Sequence, residues 1–181
     1  MDSIELEYSY LAKELPQGLR SCKSKEMLDI YIPDGIPHAP IRIRKRGEKY
    51  EITKKCPENE DDHSRLIEQT IVLTEKEFLA LRNEIKGRRV HKTRYFYPHN
   101  GRTAEIDVFM DDLEGLVLID FEFENEEEKS KFKAPDFCLV RVRGDGIQGE
   151  NFLAGGMLCG KKYSDLEPKL KKLGYKKLFL E

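Results

Sequence analysis

Five short segments place two like charges on either side of a single residue: Glu5 and Glu7, Arg42 and Arg44, Lys92 and Arg94, Glu105 and Asp107, and Asp120 and Glu122. In an extended strand successive side chains point to opposite faces, so each pair shares one face. The intervening Leu6, Ile43, Thr93, Ile106 and Phe121 take the other. Like charges held this close repel, and the arrangement is costly unless an ion of opposite sign sits between them. Three segments are acidic and two are basic, which suits a bound anion together with a metal cation.

Such pairs need strands to carry them, and period-two patterning dominates the chain. Ile4, Leu6, Tyr8 and Tyr10 alternate with Glu5, Glu7 and Ser9, and similar alternation recurs over 41–44, 50–55, 66–73, 90–95, 104–109 and 117–124. At least seven strands are predicted. Pro33 with Gly35, Gly47, and Asn100 with Gly101 supply turn chemistry, the last as a hairpin signal, so consecutive strands are expected to run antiparallel. Three segments switch to a helical period. Thr74 and Glu77 form a capping box before the stripe Phe78, Leu81 and Ile85, with Gly87 at the C-terminal cap. Residues 126–133 follow the cap Asn125, and Ser164 with Glu167 repeats the box ahead of Leu166, Leu170 and Leu173, with Gly174 as the stop. The expected class is α+β, mainly antiparallel β.

Composition narrows the partners. The 181 residues suit a single domain, residues 1–181, with 163–181 as a C-terminal helix and tail. Lysine and arginine number 32 against 34 acidic residues, a net charge of -2, which argues against loose nucleic-acid binding through a broad basic footprint. Cys22, Cys56, Cys138 and Cys159 are widely spaced, suggesting neither a zinc site nor a disulfide scaffold. The acidic start and the absence of a long apolar run lead to the expectation of a soluble, cytoplasmic protein that does not span a membrane.

Following one face of each strand collects Glu5, Glu7, Ser9, Arg42, Arg44, Glu51, Thr53, Lys55, Glu68, Thr70, Lys92, Arg94, Glu105, Asp107, Asp120, Glu122 and Glu124. Two readings stay open on pattern alone: the solvated outside of an ordinary antiparallel sheet, or the charged interior of a barrel. Grouping by sign favours the second. In their order the motifs resemble the CYTH superfamily, the triphosphate tunnel metalloenzymes. These are ExE (Glu5, Glu7), RxR before Gly47 (Arg42, Arg44), TxK (Thr53, Lys55), Glu68, KTRY (Lys92 to Tyr95), ExDVF (Glu105 to Phe109) and DxEF (Asp120 to Phe123). The chain departs from that pattern in three places. Ser9 stands where ExExK has its lysine, Thr70 where a second glutamate often follows Glu68, and Asp120 where glutamate is common.

The resemblance implies an eight-stranded closed, tunnel-like barrel with a charged lumen and a few flanking helices, holding a triphosphate and a divalent metal. Arg42, Arg44, Lys55, Lys92 and Arg94 would bind phosphate, arginine through its two-pronged fork and lysine as a point charge. Glu5, Glu7, Glu105, Asp107, Asp120 and Glu122 would hold Mg2+ or Mn2+, hard ions that prefer oxygen. Glu5, Glu7, Lys55 and Glu122 are the catalytic candidates. The activity so implied is metal-dependent hydrolysis of inorganic triphosphate or a triphosphorylated small molecule. Two alternatives are an adenylyl cyclase of the class IV type and a module that binds triphosphate or polyphosphate without cleaving it. The sequence leaves the oligomeric state open and is compatible with a homodimer.

Other motifs carry bland readings. Gly155, Gly160 and Lys161 satisfy part of a phosphate-binding P-loop, but Lys162 lacks the hydroxyl that would complete it. Arg143, Gly144 and Asp145 read as a plain turn. His38, His63, His91 and His99 have no ligand spacing and are expected at the surface or in strands. Lys161 and Lys162 carry no firm role.

Overall fold

The computed structural model describes residues 3–4, 6–32, 40–59, 62–84, 88–142 and 152–180. Among the described residues ten strands form one sheet: β1 (Ser3–Ile4), β2 (Leu6–Ala12), β3 (Ser24–Ile32), β4 (Ile41–Arg46), β5 (Lys49–Asn59), β6 (Asp62–Leu73), β7 (Arg89–His99), β8 (Arg102–Phe109), β9 (Val117–Phe123) and β10 (Cys138–Arg141). Their order across the sheet is β1-β6-β5-β4-β3-β7-β8-β9-β2-β10. Every pairing described is antiparallel. β1 and β2, separated in sequence by one residue, pair with strands far apart in that order: β1 with β6, and β2 with β9 and β10.

The turns follow from local chemistry. Asn100 and Gly101 both have positive φ, 48° and 76°, as a two-residue turn between right-twisted strands requires, and they fix the β7–β8 register. Gly47, with φ 60°, turns β4 into β5. Helix α1 (Glu75–Glu84) starts as the sequence predicts. The Glu77 carboxylate accepts from the Thr74 amide at 2.7 Å, and the Glu77 amide donates to the Thr74 hydroxyl at 3.3 Å. Helix α2 (Glu126–Lys131) is capped by Asn125, whose side chain accepts from the Glu128 amide at 2.9 Å. A single turn, α3 (Gly155–Leu158), precedes α4 (Tyr163–Lys172). The last helix begins before the predicted cap: the Lys162 amide donates to Asp165 at 2.8 Å, so the box is two residues earlier than Ser164 and Glu167. The predicted positions Pro33, Gly35, His38, the His63 side chain, Ile85, Gly87 and Arg143 to Asp145 lie outside the described residues.

Two of the three apolar clusters lie on the face opposite the charges. Ile106, Ile119, Phe121 and Phe123 pack with Tyr10, Ala104 and Phe137, and Phe132, just after α2, lies against them. Ile30 and Ile43 pack under Phe78 of α1. A third cluster joins α3 and α4 to one end of the sheet through Leu158, Leu166, Leu170, Phe109 and Leu118. Full burial of such a side chain contributes about 1.5–3 kcal/mol, so these clusters anchor the helices and leave the charged face uncovered by them except near α3. Among the described residues no helix is long and apolar enough to cross a membrane.

Candidate active site

Polar side chains are buried in a compact set: Ser9, Asp29, Arg44, Thr53, Lys92 and Asp107. All but Thr53, which is bonded to Thr70, face one cavity of about 110 Å³. Glu7 and Ser9 reach it from β2, Asp29 and Tyr31 from β3, Arg42 and Arg44 from β4, and Lys55 from β5. Lys92 and Arg94 enter from β7, Asp107 from β8, and Asp120 with Glu122 from β9. Val90, Phe109, Leu118, Val142 and the Leu153–Leu158 segment give the cavity an apolar wall at one end.

Register explains why these groups meet. Asp29 is opposite Arg44 and Tyr31 opposite Arg42 across β3 and β4. Arg94 is opposite Asp107 across β7 and β8, Glu105 opposite Asp120 across β8 and β9, and Glu122 opposite Glu7 across β9 and β2. The result is a cationic wall on β4 and β7 and an anionic one on β8, β9 and β2.

Within it, Arg44 holds Asp29 with both prongs, Nε to Oδ1 at 2.5 Å and Nη2 to Oδ2 at 2.6 Å. Burial alone would raise the Asp29 carboxyl, but the Arg44 guanidinium outweighs it and holds the group well below the ordinary carboxylate range. Arg94 is gripped by three carboxylates. It donates to Asp107 at 2.6 and 2.7 Å, to Asp120 at 3.0 Å, and through Nη1 to Glu105. Lys92 is paired with the same Asp107. Burial would raise Asp107 too, yet Lys92 and Arg94 bring it down to about 2. Burial lowers Lys92 from its ordinary value, with Asp107 acting against that. Asp120 is shifted upward, chiefly by burial and against the pull of Arg94, and accepts a hydrogen bond from Ser9. Glu105 is raised by burial as well, with Glu122, Asp120 and Asp107 adding to the shift and Arg94 opposing it.

The predicted cations Arg42, Arg44, Lys55, Lys92 and Arg94 thus stand on the cavity with Glu7, Asp107, Asp120 and Glu122. Glu105 joins them through Arg94. Lys55 is also bonded to Glu68, at 2.9 Å. Glu5 lies outside the described residues. Two lining residues, Asp29 and Tyr31, escaped the sequence reading. Their strand puts Leu28 and Ile30 opposite Met27 and Tyr31, so neither face reads as polar, and the signal was only a carboxylate two residues from a tyrosine. Tyr31 is raised by burial, with Asp29 adding to the shift, and its hydroxyl is bonded to Arg42.

The donor set suits a hard divalent cation. Among the described residues no three acidic, histidine or cysteine side chains already stand together as a metal site. Glu7 and Glu122, however, are direct cross-strand neighbours on the cavity wall, and all-oxygen ligation completed by phosphate and water is what Mg2+ and Mn2+ favour. Arg42 Nε is buried without a hydrogen-bond partner among the described residues, a donor suited to an anion. His91 lies between Glu26 at 2.7 Å and Asp111 at 3.0 Å, away from this cavity. Gly155 and Gly160 flank no βαβ unit, since the paired strands are antiparallel throughout.

No family model matches the chain. A curated inorganic triphosphatase from Nitrosomonas europaea is 30% identical over 142 residues, spanning 78% of this chain and 90% of the relative. A solved structure of the inorganic triphosphatase NE1496 is 25% identical, with a TM-score of 0.59 over 85% of this chain and 93% of that one. A Bacillus halodurans protein provisionally described as an adenylate cyclase matches at a TM-score of 0.51 and 14% identity over 99% of this chain and 95% of that one, a likeness of fold alone.

Proposed function

Given that the chain belongs to the CYTH, or triphosphate tunnel metalloenzyme, family, we propose that it hydrolyses inorganic triphosphate or a triphosphorylated small molecule within a charged bore. The observation that carries this reading is the single cavity shared by Arg42, Arg44 and Lys92 on one side and Glu7, Asp120 and Glu122 on the other. A rolled, closed sheet in one domain, residues 1–181, is supported by the chain path. β1 and β2 are eight places apart in the strand order yet one residue apart in sequence. In a flat sheet eight spacings come to about 38 Å, whereas a one-residue link spans about 7 Å.

Arg42 and Arg44 present guanidinium donors to phosphate oxygens, and Lys55 and Lys92 add point charges. Arg44 and Lys92 are buried and Arg42 and Lys55 half-buried, so the buried pair acts on charge developing during phosphoryl transfer without having to reorganise. Glu7 and Glu122 would hold the divalent metal, together with Glu5, which the sequence motif adds to the set. When bound there, Mg2+ or Mn2+ supplies positive charge to the phosphates and Lewis acidity to water. Glu7 and Glu122 then orient the attacking water and accept its proton at a carboxylate oxygen. Arg94 takes a different part from the other cations. With Asp107, Glu105 and Asp120 on its donors, it organises the anionic wall rather than reaching substrate first. We also propose that the reaction runs in the cytoplasm.

Ser9 favours a second reading, triphosphate held without turnover. It is buried, bonded to Asp120, and brings no charge to the position where the family has lysine. The test is phosphate release from tripolyphosphate with Mg2+ or Mn2+, before and after chelation, with Arg42→Ala and Glu122→Gln alongside. Metal-dependent release, lost by more than tenfold in both variants, is expected. Tight binding without product would establish the second reading, pyrophosphate with a cyclic nucleotide from ATP would establish a cyclase, and neither binding nor product would reject all three.

A further inference from the structure

The C-terminal end of the chain carries charge that the cavity does not use. Between Lys161 and Lys177 stand seven lysines against two acids, a net of +5 in a chain whose total is -2, and no arginine. Helix α4 buries Tyr163, Leu166 and Leu170. Lys162, Lys169 and Lys172, at i, i+7 and i+10, share an exposed stripe beside that buried face, and Lys176 follows past the stop at Gly174. The two acids are engaged locally: Asp165 accepts from the Lys162 amide at 2.8 Å, and Glu167 is bonded to Lys171 at 3.0 Å. Lys177 lies 4.3 Å from the Tyr163 ring centroid and packs on Gly115, with exposed Glu114 at the border. Lysines in a last turn complement the helix dipole, which accounts for Lys169, Lys171 and Lys172 but not for Lys176 and Lys177 beyond the helix. Nor does it account for Phe179, which is 55% exposed. That ring is not on a frayed end. The Leu178 amide donates to the Gly115 carbonyl at 3.1 Å, Arg20 donates to the Leu180 carbonyl at 3.1 Å, and both leucines pack into the apolar cluster behind the sheet. Phe179 is held outward between two anchored neighbours, at most about 7 Å along the chain from Lys177.

We propose that this face docks the protein onto an anionic lipid surface, with the lysines among the headgroups and Phe179 entering the apolar boundary beneath them. The occupant follows from the side chains. Lysine is a point charge without the planar fork through which arginine grips a single phosphate, so a lysine-only face fits spread negative charge. An outward aromatic ring beside it fits an apolar layer under that charge. An inorganic polyanion would offer the ring nothing. Placement agrees: Leu166 and Leu170 pack in one cluster with Phe109, Leu118 and Leu158, which wall the apolar end of the cavity. A docked molecule therefore sets that closed end against the lipid and keeps the charged part of the cavity on the far side. The docking stands independently of the hydrolase reading.

Sedimentation of the full chain with vesicles tests it. Binding to phosphatidylcholine vesicles that contain about 30% phosphatidylserine, absent with phosphatidylcholine alone and weakened by salt, is expected. Lys172→Gln with Lys176→Gln should lower the partition about 25-fold, about fivefold for each lysine. Phe179→Ser should lower it about tenfold and leave the salt dependence unchanged. All these variants should keep the parent Tm, and their phosphate release from tripolyphosphate in solution should stay within about twofold. Equal binding to neutral and anionic vesicles, binding to neither, or a partition unmoved by the substitutions would overturn the docking and leave the hydrolase reading intact. So would capture of long-chain polyphosphate or single-stranded DNA that anionic vesicles cannot compete away, which would assign the lysines to a soluble polyanion. If vesicles bind as expected while the unsubstituted protein neither binds nor cleaves tripolyphosphate, the hydrolase reading falls and the docking stands.

Discussion

Single side chains in this site work in pairs, and the Asp29–Arg44 pair is the most exposed to test. A carboxylate only 2% accessible takes two guanidinium donors, which leaves Arg44 with Nη1 and one Nη2 hydrogen to offer the cavity. Asp29 therefore fixes the plane in which Arg44 meets an anion, and also cancels one positive charge. Replacing it with asparagine keeps the shape but weakens the fork and restores that charge. Asp29→Asn is expected to lower kcat on tripolyphosphate by about tenfold while KM stays level or falls, since attraction for the anion is undiminished but the donor is mis-set. Loss of stability with kcat and KM both unaltered would reduce Asp29 to a structural ion pair. Arg94 is the opposite case: four of its donor contacts are already taken by Asp107, Glu105 and Asp120.

Whole elements decide which of these pairs can form. α3 is a four-residue turn at the apolar end of the cavity, and it approaches β3 so closely that a Cβ on Gly155 would lie 1.9 Å from the Tyr31 hydroxyl. Gly155→Ala must displace α3 or turn the tyrosine away from Arg42. The expected outcome is a loss of about 1–3 kcal/mol, a fall in Tm of several degrees, with a raised KM for tripolyphosphate. Tyr31→Phe in the same chain removes the clashing oxygen and should recover part of the loss; a silent Gly155→Ala would show that α3 does not rest on Tyr31. The sequence made some elements plain and hid others for physical reasons. β8 and β9 keep charges on one face and hydrocarbon on the other, and β7 sets Lys92 and Arg94 two apart before the NG turn, so the inward charges of these strands could be read directly. β3 carries Met27 and Tyr31 among its charged-face residues and Leu28 and Ile30 behind, so no alternation marked it, and Asp29 went with it. The capture of Arg94 by three carboxylates was likewise hidden, because alternation assigns a face but not which neighbours across the sheet a long side chain will choose. Nor could periodicity foresee that β1 pairs with β6 while β2 pairs with β9, a contact between distant strands that only the folded sheet creates.

At the scale of the molecule the charged interior makes stability a function of pH, and the two kinds of carboxylate pull in opposite directions. Asp29 and Asp107 have depressed folded values, Asp107 at about 2 against an ordinary 3.8. Their ionised forms therefore favour the folded state. That contribution is fully present above the unfolded value near 4 and is lost as pH falls through the folded one. For Asp107 alone it is worth roughly 2–3 kcal/mol. Glu105 and Asp120 are raised instead, so folding favours their protonated forms, and acidification from neutrality towards pH 4 adds stability. The substrate-free protein should accordingly show a Tm that climbs gently from pH 7 to mildly acidic values and falls steeply below about pH 4. Asp107→Asn should flatten the steep acid limb while leaving the gentle rise. Since ligand that binds only the folded chain adds RT ln(1 + [L]/Kd), tripolyphosphate with Mg2+ should raise Tm at pH 7. It should also erase the rise towards acid, by giving Asp120 and its neighbours a cation to face in place of one another. Calorimetry across pH 2–8, with and without ligand, reads both limbs. A Tm that is flat down to pH 3 would mean that the carboxylates are solvated and that the buried charged face does not exist in solution.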